Sequence, residues 1–232
     1  MLGTIVNAFA IVAGSLVGLV FKGGLAERYK ETVMHAVSLC VILVGIKAAL
    51  ASDALLVVIL SLVVGAVLGE ALRIEERLGS LGKWLESRVP SGEGSIAKGF
   101  VTASLVFCVG SMAIVGSLES GLTGSHETLF AKAVLDGIIS VIFATTLGLG
   151  VIFSAVAVFV YQGGIALAAG LIKPYLTPDV VAQMTSSGGL IIMIIGFNML
   201  NITRIRAGNL LPAIFLPLLW FAWQALLGSF WV

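Results

Sequence analysis

Residues 133–172 read AVLDGIISVIFATTLGLGVIFSAVAVFVYQGGIALAAGLI, forty consecutive positions at which Asp136 is the only charged side chain. A helix rises about 1.5 Å per residue, so a single helix over this stretch would reach about 60 Å. The hydrocarbon core of a bilayer is about 30 Å thick and is crossed by about 20 residues. The stretch therefore predicts two membrane spans, and Gly148-Leu149-Gly150 near its middle predicts the turn between them, because glycine is a poor helix former.

Working outward, six further apolar stretches have spanning length: residues 2–21, 32–50, 54–69, 99–118, 180–203 and 207–232. The predicted fold is an all-α, polytopic transmembrane helix bundle of about eight spans, or seven if residues 133–172 stay whole. Composition agrees: 59% of the 232 residues are hydrophobic and 11% charged, against about 25% charged in a typical soluble domain. Mean hydropathy is +1.14.

The connections supply an independent check. With the N-terminus outside and eight spans, Lys22, Arg28, Lys30, Arg73, Arg77, Lys83, Arg88, Lys98, Arg204 and Arg206 fall on the cytoplasmic side. Only Lys47, Lys132 and Lys173 fall outside. This bias obeys the positive-inside rule. Seven spans would move Lys173 in and both C-terminal arginines out, which weakens it. The first span has no basic segment ahead of it and is expected to be retained rather than cleaved.

Residues 71–89 are different. Leu78, Leu81, Trp84 and Leu85 recur at three-to-four spacing among charges, which predicts an amphipathic helix on the cytoplasmic interface before the Pro90–Gly94 break. It serves as a passive linker or as a partner-binding helix. The organisation expected is a three-span unit over 1–70, this helix and linker over 71–98, two central spans over 99–149, and a second three-span unit over 150–232.

The two outer units carry a weak repeat. Leu39 and Gly45 align with Leu190 and Gly196 at one offset, and Lys47 then aligns with Asn198. Phe21-Lys22-Gly23-Gly24 resembles Tyr161-Gln162-Gly163-Gly164. Spans one to three would then repeat as spans six to eight in inverted topology, a plan common in secondary transporters.

Candidate site residues are the polar groups inside spans. Asp136 is expensive in a membrane, by about 2.5–3.5 kcal/mol on insertion scales, and such groups face protein or a water cavity. It is either an ion or proton site or half of a local pair with Lys132, one turn away. Gly110, Ser111, Gly116 and Ser117 put small residues and hydroxyls in the fourth span. They read as close helix packing or as a loosened helix lining a cavity. Asn7, Gln162 and Asn198 are the remaining members of the expected substrate- or ion-binding set, as ligands or as cross-helix hydrogen bonds. Lys47 lies near a helix end and is expected to snorkel outward. Thr185–Gly189 is read as the opening of the seventh span, either a plain cap or free amides presented to an anion, with Pro212 and Pro217 kinking the last. Cys40 and Cys108 have no metal or disulfide spacing and read as small buried hydrophobes.

Other classes find no support. A net charge of +1 offers no basic patch for nucleic acid. No zinc-protease, nucleophile-elbow, P-loop or dinucleotide motif occurs, so no enzyme, ATP-driven pump, metal or cofactor is expected.

Gly3-Thr-Ile-Val-Asn7 with Gly14-Ser-Leu-Val-Gly18, the segment Cys108-Val-Gly-Ser-Met-Ala-Ile-Val-Gly-Ser117, Lys132 with Leu135-Asp136, Tyr161-Gln162-Gly163 and Asn209-Leu-Leu-Pro212 resemble a known family. It is the YqgA/YdfK-like family of uncharacterised bacterial inner-membrane proteins (domain of unknown function 554), and the similarity covers essentially the whole chain. The resemblance implies a multi-pass protein of a prokaryotic plasma membrane and supplies no substrate. The expected function is a small secondary transporter or ion-coupled permease for a small solute or ion, with the lipid bilayer as its partner and self-association left open. A gated channel and a structural or regulatory membrane protein are the alternatives.

Overall fold

The computed structural model describes residues 1–22, 27–88 and 96–228. These form eleven α-helices, with no strand among the described residues. In order they are α1 (Leu2–Lys22), α2 (Glu27–Ala49), α3 (Leu55–Leu72), α4 (Ile74–Arg88), α5 (Ile96–Cys108), α6 (Ser111–Leu122), α7 (Glu127–Leu147), α8 (Gly150–Leu167), α9 (Ala169–Ile172), α10 (Pro178–Met199) and α11 (Pro212–Gly228). The chain is an all-α polytopic bundle with many large apolar residues of its outer helices exposed. On α1, Ile5, Phe9, Leu16 and Val20 are exposed while Thr4, Asn7, Gly14, Ser15 and Gly18 are buried. Small and polar groups inward with bulky apolar groups outward is the arrangement that suits a lipid surround.

The forty-residue stretch divides where the glycines predict. Gly148 adopts φ 76°, a left-handed conformation that ends α7 at little cost to a residue without Cβ. The expected span at 99–118 departs from a single helix. α5 and α6 are bent by 64° about Val109-Gly110, and Gly110 has φ 128°. Neither helix alone is long enough to cross about 30 Å.

Packing shows how far this pair reaches. Gly99 of α5 lies against Gly150 and Val151, at the start of α8, whereas Gly121 of α6 lies against Ala166 and Ala169, at and just past its other end. The broken pair therefore runs the full length of α8. Counted as one crossing, it joins the seven long apolar helices to make eight.

Helix directions agree with that count. Gly3 meets Leu129, Gly14 meets Gly137 and Gly18 meets Val141, so α1 and α7 run parallel, as spans one and five must. Gly45 meets Gly189 and Met193 while Gly196 meets Ser38 and Ile42, so α2 and α10 run antiparallel, as spans two and seven must. Gly65 with Ala213 and Gly69 with Asn209 make α3 and α11 antiparallel as well. At Gly14 a Cβ would collide with the Gly137 carbonyl, which is why glycine is required there.

Several expectations are corrected. Lys132 is not a loop charge: it is buried and paired, so the outside face keeps only Lys47 and Lys173 of the three basic residues assigned to it. Thr185–Gly189 does not open a helix. α10 begins at Pro178 with the Thr177 hydroxyl accepting from the Val180 amide, which places these residues in its interior. Pro212 starts α11, where proline's missing amide costs nothing, and only Pro217 lies inside the helix. Cys40 is exposed on α2 rather than buried, and Cys108 is half-buried. Gly23 and Gly24, half of the repeat overlay, lie outside the described residues, as does the Pro90–Gly94 break. The other half, Gly45 and Gly196, falls on the single α2–α10 crossing.

At the end of the bundle where α3 stops, α4 is amphipathic with Leu81 and Trp84 exposed. Its first turn is tied to the last connection. Asn209 donates to Glu70 at 2.6 Å and accepts from the Glu75 amide at 2.7 Å, and Glu75 accepts from the Gly208 amide at 2.7 Å.

Candidate functional site

Asp136 sits on the buried stripe of α7, with Leu129, Lys132, Ala133, Ser140 and Ala144. Glu127 begins this helix nine residues earlier, so Asp136 lies about 13 Å along α7 from its first residue. The i, i+4 spacing brings Lys132 onto the same face: its ammonium reaches Oδ1 at 3.0 Å and Oδ2 at 2.9 Å. Both residues are nearly sealed, at 6% and 3% exposure. A charge at this depth is tolerated because it is paired and hydrogen-bonded.

Two neighbouring spans complete the cluster. Asn7 of α1 donates from Nδ2 to Asp136 Oδ2 at 3.0 Å and to Gln162 Oε1 of α8 at 3.3 Å. Asn7 and Gln162 are both fully buried. The Asn7 amide nitrogen has two protons and both are used, but Asn7 Oδ1 and Gln162 Nε2 have no partner. The cluster thus presents one unpaired acceptor and one unpaired donor beside a neutralised ion pair.

The broken span borders this cluster. Cys108, the last residue of α5, lies close enough to Lys132 and Asp136 to feel both charges. Val109 packs on Gly188 of α10. Ending one helix and starting another here frees main-chain groups of a last and a first turn, and backbone of that kind inside a membrane is found where protein or a water cavity receives it.

The expected site residues therefore separate. Asn7, Asp136 and Gln162 come together, and Lys132 joins them as a full member. Gly110 is the break itself, with open space where its Cβ would be. The Ser111 side chain lies outside the described ones, while its backbone begins α6. Ser117 turns back to the Ala113 carbonyl at 2.6 Å, and Gly116 allows Leu129 and Thr128 to approach, so both serve helix packing.

Asn198 lies at the other end of the molecule. It binds the Ile205 carbonyl and amide and the Thr203 hydroxyl, closing the loop after α10. It also lines a cavity of about 230 Å³ with Glu75, Lys98, Thr102 and Leu105. The orphan hydroxyls of Thr4 and Ser140 lie one turn from Asn7 and Asp136, that of Ser15 lies about 12 Å further along α1, and none of the three was singled out by sequence reasoning. The available signal was their helical register with Asn7 and Asp136.

These features define a polytopic α-helical membrane protein with a buried, ion-paired polar centre shared by three spans. The chain belongs to the family described as "Protein of unknown function (DUF554)", whose model matches residues 2–222. It is 34% identical over 222 residues to a protein of Bacillus subtilis (strain 168) called "Uncharacterized membrane protein YdfK", with 94% of each chain covered. It is 28% identical over 234 residues to "Uncharacterized protein YqgA" of Escherichia coli (strain K12), covering 97% of this chain and all of that one. No solved structure matches.

Proposed function

We propose that this chain is a small secondary transporter or ion-coupled permease of the prokaryotic plasma membrane, built as an inverted repeat. Its coupling site is the Lys132–Asp136 pair with Asn7 and Gln162. The observation that carries the reading is the buried cluster itself: an ion pair and two amides drawn from three spans, with an acceptor and a donor left unpaired. Ionisable groups kept at such depth mark ion and substrate pathways in membrane proteins. The adjoining broken span supports the same reading, since discontinuous helices supply transporter sites with free main-chain groups. The cytoplasmic cavity lined by Lys98, Thr102 and Asn198 supplies an inward approach.

Purified protein in sealed vesicles, screened against labelled small solutes under imposed proton and sodium gradients, tests this. Saturable accumulation that follows one gradient is expected. Stepwise single-channel conductance would instead make the protein a channel, and absence of flux with any solute and gradient would leave a structural or regulatory role.

A further inference from the structure

Natural structures hold few buried polar atoms without a partner, and each one calls for an explanation. Five of those among the described residues belong to the three helices that build the cluster: Thr4 Oγ1, Asn7 Oδ1 and Ser15 Oγ on α1, Ser140 Oγ on α7, and Gln162 Nε2 on α8. All five residues are fully buried. Thr4, Asn7 and Ser15 follow one stripe of α1, and Ser140 lies one turn beyond Asp136 on α7. Gly14, next to Ser15, touches Ser140. The orphans therefore form a column along the α1–α7–α8 seam, from Thr4 near the outer end, past Asp136, to Ser15 and Ser140. Thr4 and Ser15 are eleven residues apart, about 16 Å along α1.

The chemistry of the column selects its occupant. A metal cation needs several oxygen acceptors around one point, yet the orphan oxygens are spread over about 16 Å, and the Lys132 ammonium already sits on both oxygens of Asp136. Hydroxyls and amides that both donate and accept suit water, which needs two to four such partners.

We propose that this column is a hydrated proton path and that the proton is the ion that couples at Asp136. The proposal rests on the transporter reading and names its coupling ion. A proton passes along the waters, one O–H bond breaking as the next forms, and the last forms on a carboxylate oxygen of Asp136, which loosens its hold on Lys132. Lys132 on its own helix and the Asn7 amide bond Asp136, Gln162 bonds Asn7 in turn, and the Cys108 thiol of α5 feels the charges of both Lys132 and Asp136. Inward of Ser15 and Ser140 the path meets an apolar layer. Phe107 and Phe143 stack there at 5.9 Å, with Leu147 and Val151 buried around them. The cytoplasmic cavity begins at Leu105, two residues before Phe107. Inward release thus requires the end of α5, which stops at the Gly110 break, to move.

Infrared difference spectra of the protein in phosphatidylethanolamine–phosphatidylglycerol vesicles test the proposal. Acidification should raise a carboxylic-acid band that is missing in Asp136→Asn. In heavy water, the deuterium shift of that band should slow about fivefold in Thr4→Val, the factor given by one lost hydrogen-bonding station, and recover in Thr4→Ser. Replacing choline by sodium should leave the midpoint unchanged. If Thr4→Val fails to fold, the band and the sodium comparison decide alone. A midpoint moved by sodium through a whole pH unit, no band from Asp136, or equal exchange in folded Thr4→Val overturns the proton path. Those results leave solute uptake standing, whereas absence of uptake in every gradient sinks the transporter reading whatever the band does.

Discussion

Replacing Lys132 by methionine keeps the side chain's bulk and leaves the Asp136 carboxyl 3% exposed and without its cation. The reverse change, Asp136→Asn, keeps the hydrogen-bonding shape toward Asn7 and strands the ammonium, 6% exposed. Removing one partner of a buried pair costs about 3–5 kcal/mol. For soluble domains of 150–250 residues, each kcal/mol moves Tm by about 2–4 °C. On that scale each single variant should unfold about 6–20 °C below the parent. The double variant Lys132→Met, Asp136→Asn buries no charge, and neutral replacement of a buried pair is often close to neutral in stability. It should recover to within about 4 °C of the parent, that is about 1 kcal/mol. The assay is thermal unfolding in detergent, followed by tryptophan fluorescence and repeated at two protein concentrations. Losses that simply add in the double variant would show that the two side chains do not interact, and would refute the ion-paired centre.

At the α1–α7 seam, Gly14→Ala puts a methyl group into the Gly137 carbonyl. It should cost about 1–3 kcal/mol, the usual price of overpacking, seen as a lower Tm, whereas Gly79→Ala on α4 has open space and should cost nothing by that route. For topology, eight crossings put residues 91 and 125 on opposite sides. With Cys40 and Cys108 replaced, impermeant thiol reagents should label a cysteine introduced at Ser125, but not one at Ser91, in right-side-out vesicles. Labelling of both would mean the α5–α6 pair returns to the side it entered from.

Much of this was legible because a membrane makes few demands and enforces them strictly. Length against bilayer thickness split residues 133–172, and the Gly148 turn lies where the glycines placed it. The break at Gly110 was visible as small residues without proline, but whether glycine there packs or breaks depends on its neighbours. Gly116 packs against α7 while Gly110 faces open space. Asn7, Asp136 and Gln162 stood out singly, as polar groups in apolar surroundings. Their meeting was not legible, because α1 packs on α7 and α8 across well over a hundred residues of sequence. Lys132 was visible at i−4 from Asp136, yet loop-charge counting assigned it to the outside. Asn198 looked like an intramembrane polar group, a ligand or a cross-helix hydrogen bond, because the apolar run continues past the true end of α10 at Met199.

The central claim is that Asp136 couples an ion to solute movement. Once the vesicle screen has supplied a solute, gradient-driven uptake by the parent, Asp136→Asn and Asp136→Glu decides it. Each variant should be compared at equal amounts of folded, reconstituted protein. Asp136→Asn should lose uphill accumulation while keeping solute exchange at equilibrium, and Asp136→Glu should restore part of the accumulation. Undiminished uphill accumulation by Asp136→Asn would contradict the claim, and would leave the buried pair as a structural element.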